Sequence, residues 1–201
     1  MGTYYNIEII DEYEVINNYS YFNNQIDSIL QIINFHFSNY IDTSEISLFN
    51  NNISIEPIAV SSELFYLITK SKEIFKISNG NFDITVQSLY KEWGFNNSNV
   101  KTVIPDSSII NGILQYTGTE KIEIKEKMLL KKHPKVQLDV SAIAKGWAVD
   151  RISDLFKDIG IQNYLIDIGG EVLVSGKNKI DELWKIGVRS PDEISFDVFS
   201  T

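Results

Sequence analysis

The chain has 201 residues, 43% hydrophobic and 12% aromatic, with charges spread along its length, enough for a core of one domain or two small ones and unlike a disordered composition. A net charge of −9 without a basic cluster excludes a nucleic-acid partner, because the attraction to a phosphate backbone is missing. The absence of cysteine excludes disulfides, thiolate metal sites and cysteine nucleophiles, and says nothing about compartment.

No apolar run reaches the roughly 20 residues of a membrane helix, and no charged leader precedes an apolar stretch, so the chain as written is expected to be soluble. The opening approaches a myristoylation pattern, but Asn6 stands where that pattern takes Ser or Thr.

Residues 3–10 alternate apolar and polar, which predicts a half-buried strand. From Tyr21 to Phe37 the spacing of Phe22, Ile26, Ile29, Leu30, Ile33 and Phe37 predicts a long helix with one core face. Residues 39–52 are rich in Asn and Ser and predict a loop around a helical turn, anchored by Ile41, Ile46, Leu48 and Phe49. A second helix begins at Ser61 or Ser62, either able to cap it, turns Leu64, Leu67, Ile68 and Ile74 or Phe75 inward, and stops at Asn79-Gly80.

Gly80 and Gly94 bracket a short helix whose Val86, Leu89, Tyr90 and Trp93 are expected to pack in the core. Another short helix follows Pro105, and residues 120–138 carry two or three strands. His133 lies in a polar turn before Pro134, where a solvated side chain is expected rather than a ligand. Residues 163–176, "NYLIDIGGEVLVSG", have the pattern of a hairpin about Gly169-Gly170, and residues 183–191 add a strand. No repeat or linker divides the chain, which predicts a single α+β domain over residues 1–201, a largely antiparallel sheet with helices packed on it.

The most informative stretch is Val136 to Phe156. Val136, Leu138 and Val140 alternate with Gln137, Asp139 and Ser141, so Asp139 ends a strand on the face opposite the apolar set. Ser141 can cap the helix that follows, whose core positions are Ala144, Trp147, Ala148, Ile152, Leu155 and Phe156. A helix N-terminus suits an anion, and Lys145 on the first turns runs against the dipole unless something anionic offsets it. The small residues Ser141, Ala142, Ala144 and Gly146 leave a ligand room to approach, and Asp139 can accept from an amide, imide or hydroxyl. The alternatives are that Asp139 caps the helix, Lys145 is a solvated charge, and the small residues pack helix on sheet.

Residues 138–176, "LDVSAIAKGWAVDRISDLFKDIGIQNYLIDIGGEVLVSG", resemble the signature of the ApbE family, the FAD:protein FMN transferases once described as thiamine-biosynthesis lipoproteins. "MGTYYNIEI" (1–9), "SNYIDTSEISLFN" (38–50), "GNFDITVQSLYKEWGF" (80–95) and "WKIGVRSP" (184–191) resemble further motifs of that family in the same order. The resemblance implies a T-fold-related α+β architecture. It also implies a Mg²⁺-dependent enzyme that cleaves FAD, passes FMN to a Thr or Ser hydroxyl of a target protein and releases AMP; some members instead hydrolyse FAD to FMN and AMP.

By the resemblance Met1, Tyr40, Asn81, Phe82, Asp83, Asp139 and Lys145 fall on FAD-contact positions, and Ala142 on a position whose carbonyl helps hold the metal. The chemistry is apt. Tyr40 and Phe82 offer flat apolar surface to a ring system, and Lys145 offers a point charge to phosphate. The family also implies an extracytoplasmic, membrane-anchored lipoprotein, although no anchor or signal occurs in this chain.

The family pattern continues beyond the strand at residues 184–191 with a Thr-Ser-Gly segment, a His-x-Ile-Asp-Pro motif that supplies the base, and an Ala-Asp-x-x-x-Thr segment that supplies metal ligands. None of these occurs here, and His36 and His133 are not in that motif. The chain therefore resembles the first two thirds of the family, contains no assigned catalytic residue, and is expected not to catalyse transfer alone. A fragment, a split protein completed by a second chain, and a truncated binder compete as explanations, in that order. A fold incomplete on its C-terminal side is expected to associate through the exposed surface. The rival functions are a Mg²⁺-dependent FAD pyrophosphatase, a flavin-binding module without turnover, and a structural protein with a decayed site.

Overall fold

The structure is a computed structural model and describes residues 2–10, 12–95, 104–189 and 196–200. The alternation near the start becomes β1 (Tyr5–Ile9), and the periodic stretch after it becomes α1 (Glu12–Phe37), which begins well before Tyr21. α1 buries Phe22, Ile26, Ile33 and Phe37 and half-buries Ile29 and Leu30, as the spacing predicts.

Ser44 caps α2 (Glu45–Asn51), its hydroxyl accepting from the Ser47 N–H at 3.2 Å. The helix buries Ile46 and Phe49, but Ile41 and Leu48, expected as anchors, are 41% and 60% exposed. In so short a helix position 48 falls opposite the face that carries 46, 49 and 50, and the polar Ser47 and Asn50 go inside instead.

After β2 (Ile58–Ala59), α3 (Ser62–Ile77) starts at Ser61, whose Oγ accepts from the Leu64 N–H at 3.1 Å. Leu64, Leu67 and Ile68 are buried, and the chain leaves the helix through left-handed Asn79 and Gly80, with the Gly80 N–H on the Phe75 carbonyl at 2.8 Å. α4 (Gln87–Glu92) corrects the core expectation: Val86, Leu89 and Tyr90 are only half-buried and Trp93 is 42% exposed. Within these six residues only Gln87 is buried, and burial otherwise belongs to Ile84 and Thr85 just before them. α5 (Ser107–Leu114) follows, capped by Asp106, which accepts from the Ser108 N–H at 2.7 Å.

β3 (Ile122–Lys125) and β4 (Met128–Lys131) form a hairpin about left-handed Glu126 and Lys127, and β2 adds to β4 on the other side. Beyond α6 (Ser141–Asp158), β5 (Tyr164–Ile168) and β6 (Glu171–Ser175) form the second hairpin about Gly169 (φ 56) and Gly170 (φ 91), as the Gly-Gly pair predicts. β1 pairs antiparallel with β5, from Tyr5 against Ile168 to Ile9 against Tyr164. The strand expected at 183–191 is β7 (Lys185–Arg189), paired with β8 (Phe196–Ser200); residues 190 and 191 lie outside the described ones. The α+β class and the antiparallel pairing hold. Among the described residues, however, the strands form three small sheets rather than one.

Two compact units result, one Ile32–Ala144 and the other Met1–Gln31 with Lys145–Thr201, and the division falls inside α1 and α6. In the first, Leu64, Ile68, Ile84, Ile122, Leu129 and Leu138 are at most 1% exposed. In the second, Ile152 and Phe156 of α6 and Tyr164, Ile166 and Ile168 of β5 are all 0% exposed. Each such aliphatic side chain contributes about 2 kcal/mol relative to exposure. The Tyr164 hydroxyl meets Ser153 Oγ at 2.8 Å, and its ring meets Phe156 edge-on at 5.1 Å.

Candidate functional site

The alternation at 136–140 is real: Val136, Leu138 and Val140 are 0% exposed, while Gln137 and Asp139 are half-exposed. Yet the segment is extended without joining a sheet, which corrects the expected strand. Its backbone is satisfied by other means. The Leu138 N–H donates to Asn50 Oδ1 at 2.7 Å, Asn50 Nδ2 donates to the Leu138 carbonyl at 2.8 Å, and the Asp139 N–H donates to the Ile84 carbonyl at 2.7 Å. One carboxamide thus replaces the peptide group of a neighbouring strand.

Asp139 Oδ1 accepts both the N–H of Ser141, at 2.8 Å, and the Ser141 hydroxyl. The aspartate, not Ser141, therefore holds the first turn of α6, which is the capping alternative. Capping occupies one oxygen. Among the described residues nothing donates to Oδ2, so the carboxylate keeps an acceptor for an outside donor.

Beside it lies a surface that the sequence reading assigned to the core. The Tyr40 hydroxyl, as a hydrogen-bonding neighbour, comes first among the causes that hold the Tyr90 phenol above its ordinary value, followed by partial burial and the nearby Asp139. The Tyr90 ring stacks on Phe95 with centroids 5.2 Å apart, and Tyr40 and Phe95 are 74% and 56% exposed. Tyr40 and Asp139, distant in sequence, are thus brought to one place with two aromatics that helical spacing alone did not single out as surface.

The run 81–83 divides. Asn81 is exposed, with Nδ2 on the Ser78 carbonyl at 2.7 Å, and Phe82 is half-buried, with its N–H on Ser78 Oγ at 3.0 Å. Asp83 turns inward: Oδ1 accepts from the Thr85 N–H at 2.8 Å and from the Thr85 and Thr119 hydroxyls at 2.6 and 2.8 Å, and Oδ2 accepts from the Thr119 N–H at 3.2 Å. Its carboxylate latches the loop to the turn at Thr119–Lys121 and has little capacity left for a ligand.

In the other unit Lys145 Nζ donates to the Gly169 carbonyl at 3.1 Å and lies 3.3 Å from Glu171 Oε1. Lys145 is therefore paired rather than simply solvated. The pair is one third to one half exposed, so it contributes under about 1 kcal/mol and is readily exchanged for a phosphate partner. Thr3 packs against the same turn: a Cβ on Gly169 would come within 2.5 Å of Thr3 Oγ1, and the Gly169 N–H donates to the Tyr4 carbonyl at 3.1 Å. The opening motif, the Lys-Gly motif and the Gly-Gly hairpin converge here. Met1 lies outside the described residues.

Ala142 is exposed on the first turn of α6. Among the described residues no three His, Cys, Asp or Glu side chains gather as a metal site, and one helical carbonyl does not form a cage for a hard cation. Both histidines are engaged. His36 Nδ1 lies 2.6 Å from Glu45 Oε2, and that carboxylate also accepts the Ser61 N–H and hydroxyl at 2.5 Å each, tying α1, α2 and the cap of α3 together. His133, expected to be solvated, is half-buried and stacked on Tyr116 at 5.3 Å.

Comparison with known proteins identifies the family and the fold. The profile of the ApbE family matches residues 1–201. The FAD:protein FMN transferase of Vibrio cholerae is 34% identical over 191 residues, covering 95% of this chain and 57% of that protein. That of Haemophilus influenzae is 31% identical over 196 residues, with the same coverages of 95% and 57%. Among solved structures, the flavin transferase ApbE from Vibrio cholerae superposes with a TM-score of 0.91 at 33% identity, over 98% of this chain and 65% of that one. The flavinyl transferase ApbE of Pseudomonas stutzeri, in its apo form, gives 0.84 at 25%, over 90% and 58%. The chain thus spans about 60% of the length of the relatives it matches. With the family pattern running from its first residue to its last and the fold shared throughout, the chain belongs to the ApbE family.

Proposed function

We propose that this chain supplies much of the FAD-facing surface of an FAD:protein FMN transferase, a Mg²⁺-dependent enzyme that moves FMN from FAD to a Thr or Ser hydroxyl of a target protein and releases AMP. The observation that carries the reading is Asp139 Oδ2, which has no donor among the described residues, beside exposed Tyr40 and half-buried Tyr90, in a chain whose relatives are named for that activity. Asp139 accepts an imide or amine proton of the nucleotide, the tyrosines offer a ring-sized apolar surface, and Lys145 gives its ammonium to a phosphate. Asn81 and Phe82 line the approach, and Asp83 holds their loop by its bonds to Thr85 and Thr119.

In the transfer the acceptor hydroxyl oxygen attacks the FMN phosphorus, the bond from that phosphorus to the bridging oxygen breaks, and AMP leaves with the bridging oxygen. The hydroxyl proton passes to a base. Bound Mg²⁺ would stabilise charge on the phosphate oxygens; the Ala142 carbonyl alone does not hold it, so the ion would rest mainly on those oxygens and water. The extracytoplasmic, lipid-anchored location implied by the resemblance is part of the same proposal, tested by fractionating the protein from its own host.

A second reading, binding without turnover by this chain alone, is favoured by the engagement of both histidines with Glu45 and Tyr116. One experiment tests both: titration of the chain with FAD by flavin fluorescence, then product analysis with Mg²⁺, with and without an acceptor protein. Saturable binding lost in Asp139→Ala, with FAD recovered intact, is the expected result. FMN and AMP without acceptor would instead establish a pyrophosphatase, and binding indifferent to Asp139→Ala would overturn the site.

A further inference from the structure

Lys131 ends β4, a strand in which Leu129 and Lys131 share the buried face, and both are 0% exposed. Among the described residues no carboxylate pairs with it. Its Nζ donates to the Asn52 carbonyl at 2.7 Å and reaches the Asn50 carbonyl at 3.4 Å, over the Phe49 ring at 4.7 Å. These carbonyls belong to the end of α2, where helical acceptors lack partners within the helix and the macrodipole is negative. The ammonium is the counter-charge that closes that helix end.

From the same turn projects the Asn50 carboxamide, 6% exposed, which clamps both backbone groups of Leu138 and is steadied by Asn39 Oδ1 at 3.0 Å from its Nδ2. The next residue is Asp139. We infer that Lys131 is a positioning residue for Asp139, acting through the end of α2 and the Asn50 clamp on Leu138. Every link joins residues of one compact unit. Burial pushes the Lys131 ammonium down to about 8, so the charge is held at this point against its own solvation. An apolar side chain of similar length would fill the space and leave the carbonyls of Asn50 and Asn52 without a donor.

The connection to FAD rests on the reading of Asp139 given above, and the test separates the two. Amide hydrogen exchange is measured on the unliganded chain and on Lys131→Met, with Lys131→Gln taking its place if the Met variant does not fold. Exchange at the Leu138 and Asp139 amides is expected to accelerate about tenfold or more, while the amides shared by β5 and β6 are unchanged. FAD affinity is expected to fall about tenfold, and Lys131→Met combined with Asp139→Ala is expected to bind no more weakly than Asp139→Ala alone, because both act at one carboxylate. A general loss of stability would speed exchange everywhere and add to the Asp139 effect.

A folded variant with unchanged exchange at Leu138 and Asp139 overturns the inference. So does unchanged FAD affinity when Asp139→Ala weakens binding. If Asp139→Ala leaves FAD binding intact, the proposed site fails, and exchange alone decides the role of Lys131.

Discussion

The buried ammonium of Lys131 makes a quantitative statement about pH. Burial lowers its pKa from 10.5 to about 8. Below pH 8 the lysine is charged in both states and the native state bears the lost hydration. Between pH 8 and 10.5 the native lysine is neutral while the unfolded one still holds its proton. The unfolded state then binds more protons, so stability rises with pH across that window. The penalty falls from about 3 kcal/mol at pH 7 to about 1 kcal/mol at pH 9.5, so the wild-type chain becomes more stable by about 2 kcal/mol between them on this account alone. Lys131→Met removes the titration and keeps the volume. Urea denaturation of both proteins at the two pH values, followed by tryptophan fluorescence, compares the slopes, and the other titrating groups, present in both, cancel in the difference. Equal pH dependence in the two proteins would refute the placement of an unpaired charge at this position.

Gly169→Ala is expected to destabilise by about 1–3 kcal/mol in thermal melts, since the new Cβ would meet Thr3 at a positive φ of 56. Lys145→Ala is expected to shift stability by under about 1 kcal/mol, because its partner Glu171 is half-exposed, yet to weaken FAD binding in a fluorescence titration; a large stability loss without a binding effect would make it a structural residue. Tyr40→Phe removes the leading cause of the raised Tyr90 pKa, so Tyr90 should ionise at lower pH in a tyrosinate absorbance titration.

Helix ends were legible because their chemistry is local: Ser61 caps α3, and Asn79-Gly80 ends it through left-handed backbone. The faces of residues 136–140 were legible too, since period two sorts inside from outside whatever the backbone bonds to. What the backbone bonds to was not, because the partner of Leu138 is the side chain of Asn50, far away in the sequence. For α4, six residues at helical spacing say that Tyr90 and Trp93 lie near one another, not that anything covers them. The site shows the same split. Asp139 and Lys145 carry recognisable signals at a helix start, whereas the approach of Tyr40 to Tyr90 has no sequence signature. Lys131 did leave one trace, its period-two register with Leu129, which the neighbouring charges of Lys132 and Lys135 disguise as a solvated run.

The pairing of β1 with β5 sets an order on biosynthesis. Residues 32–144 form a unit contiguous in the chain, whose partners are complete as soon as that segment has emerged. Tyr5 to Ile9 pair with Ile168 to Tyr164, far along the chain. At a synthesis rate of about 5–20 residues per second, the first strand waits on the order of ten seconds for its neighbour. During that interval its hydrogen-bonding edge is open to any other extended chain, and the loop it must close is a long one. The pairing of β1 therefore waits for residues 164–168, and it brings Thr3 against the Gly169-Gly170 hairpin.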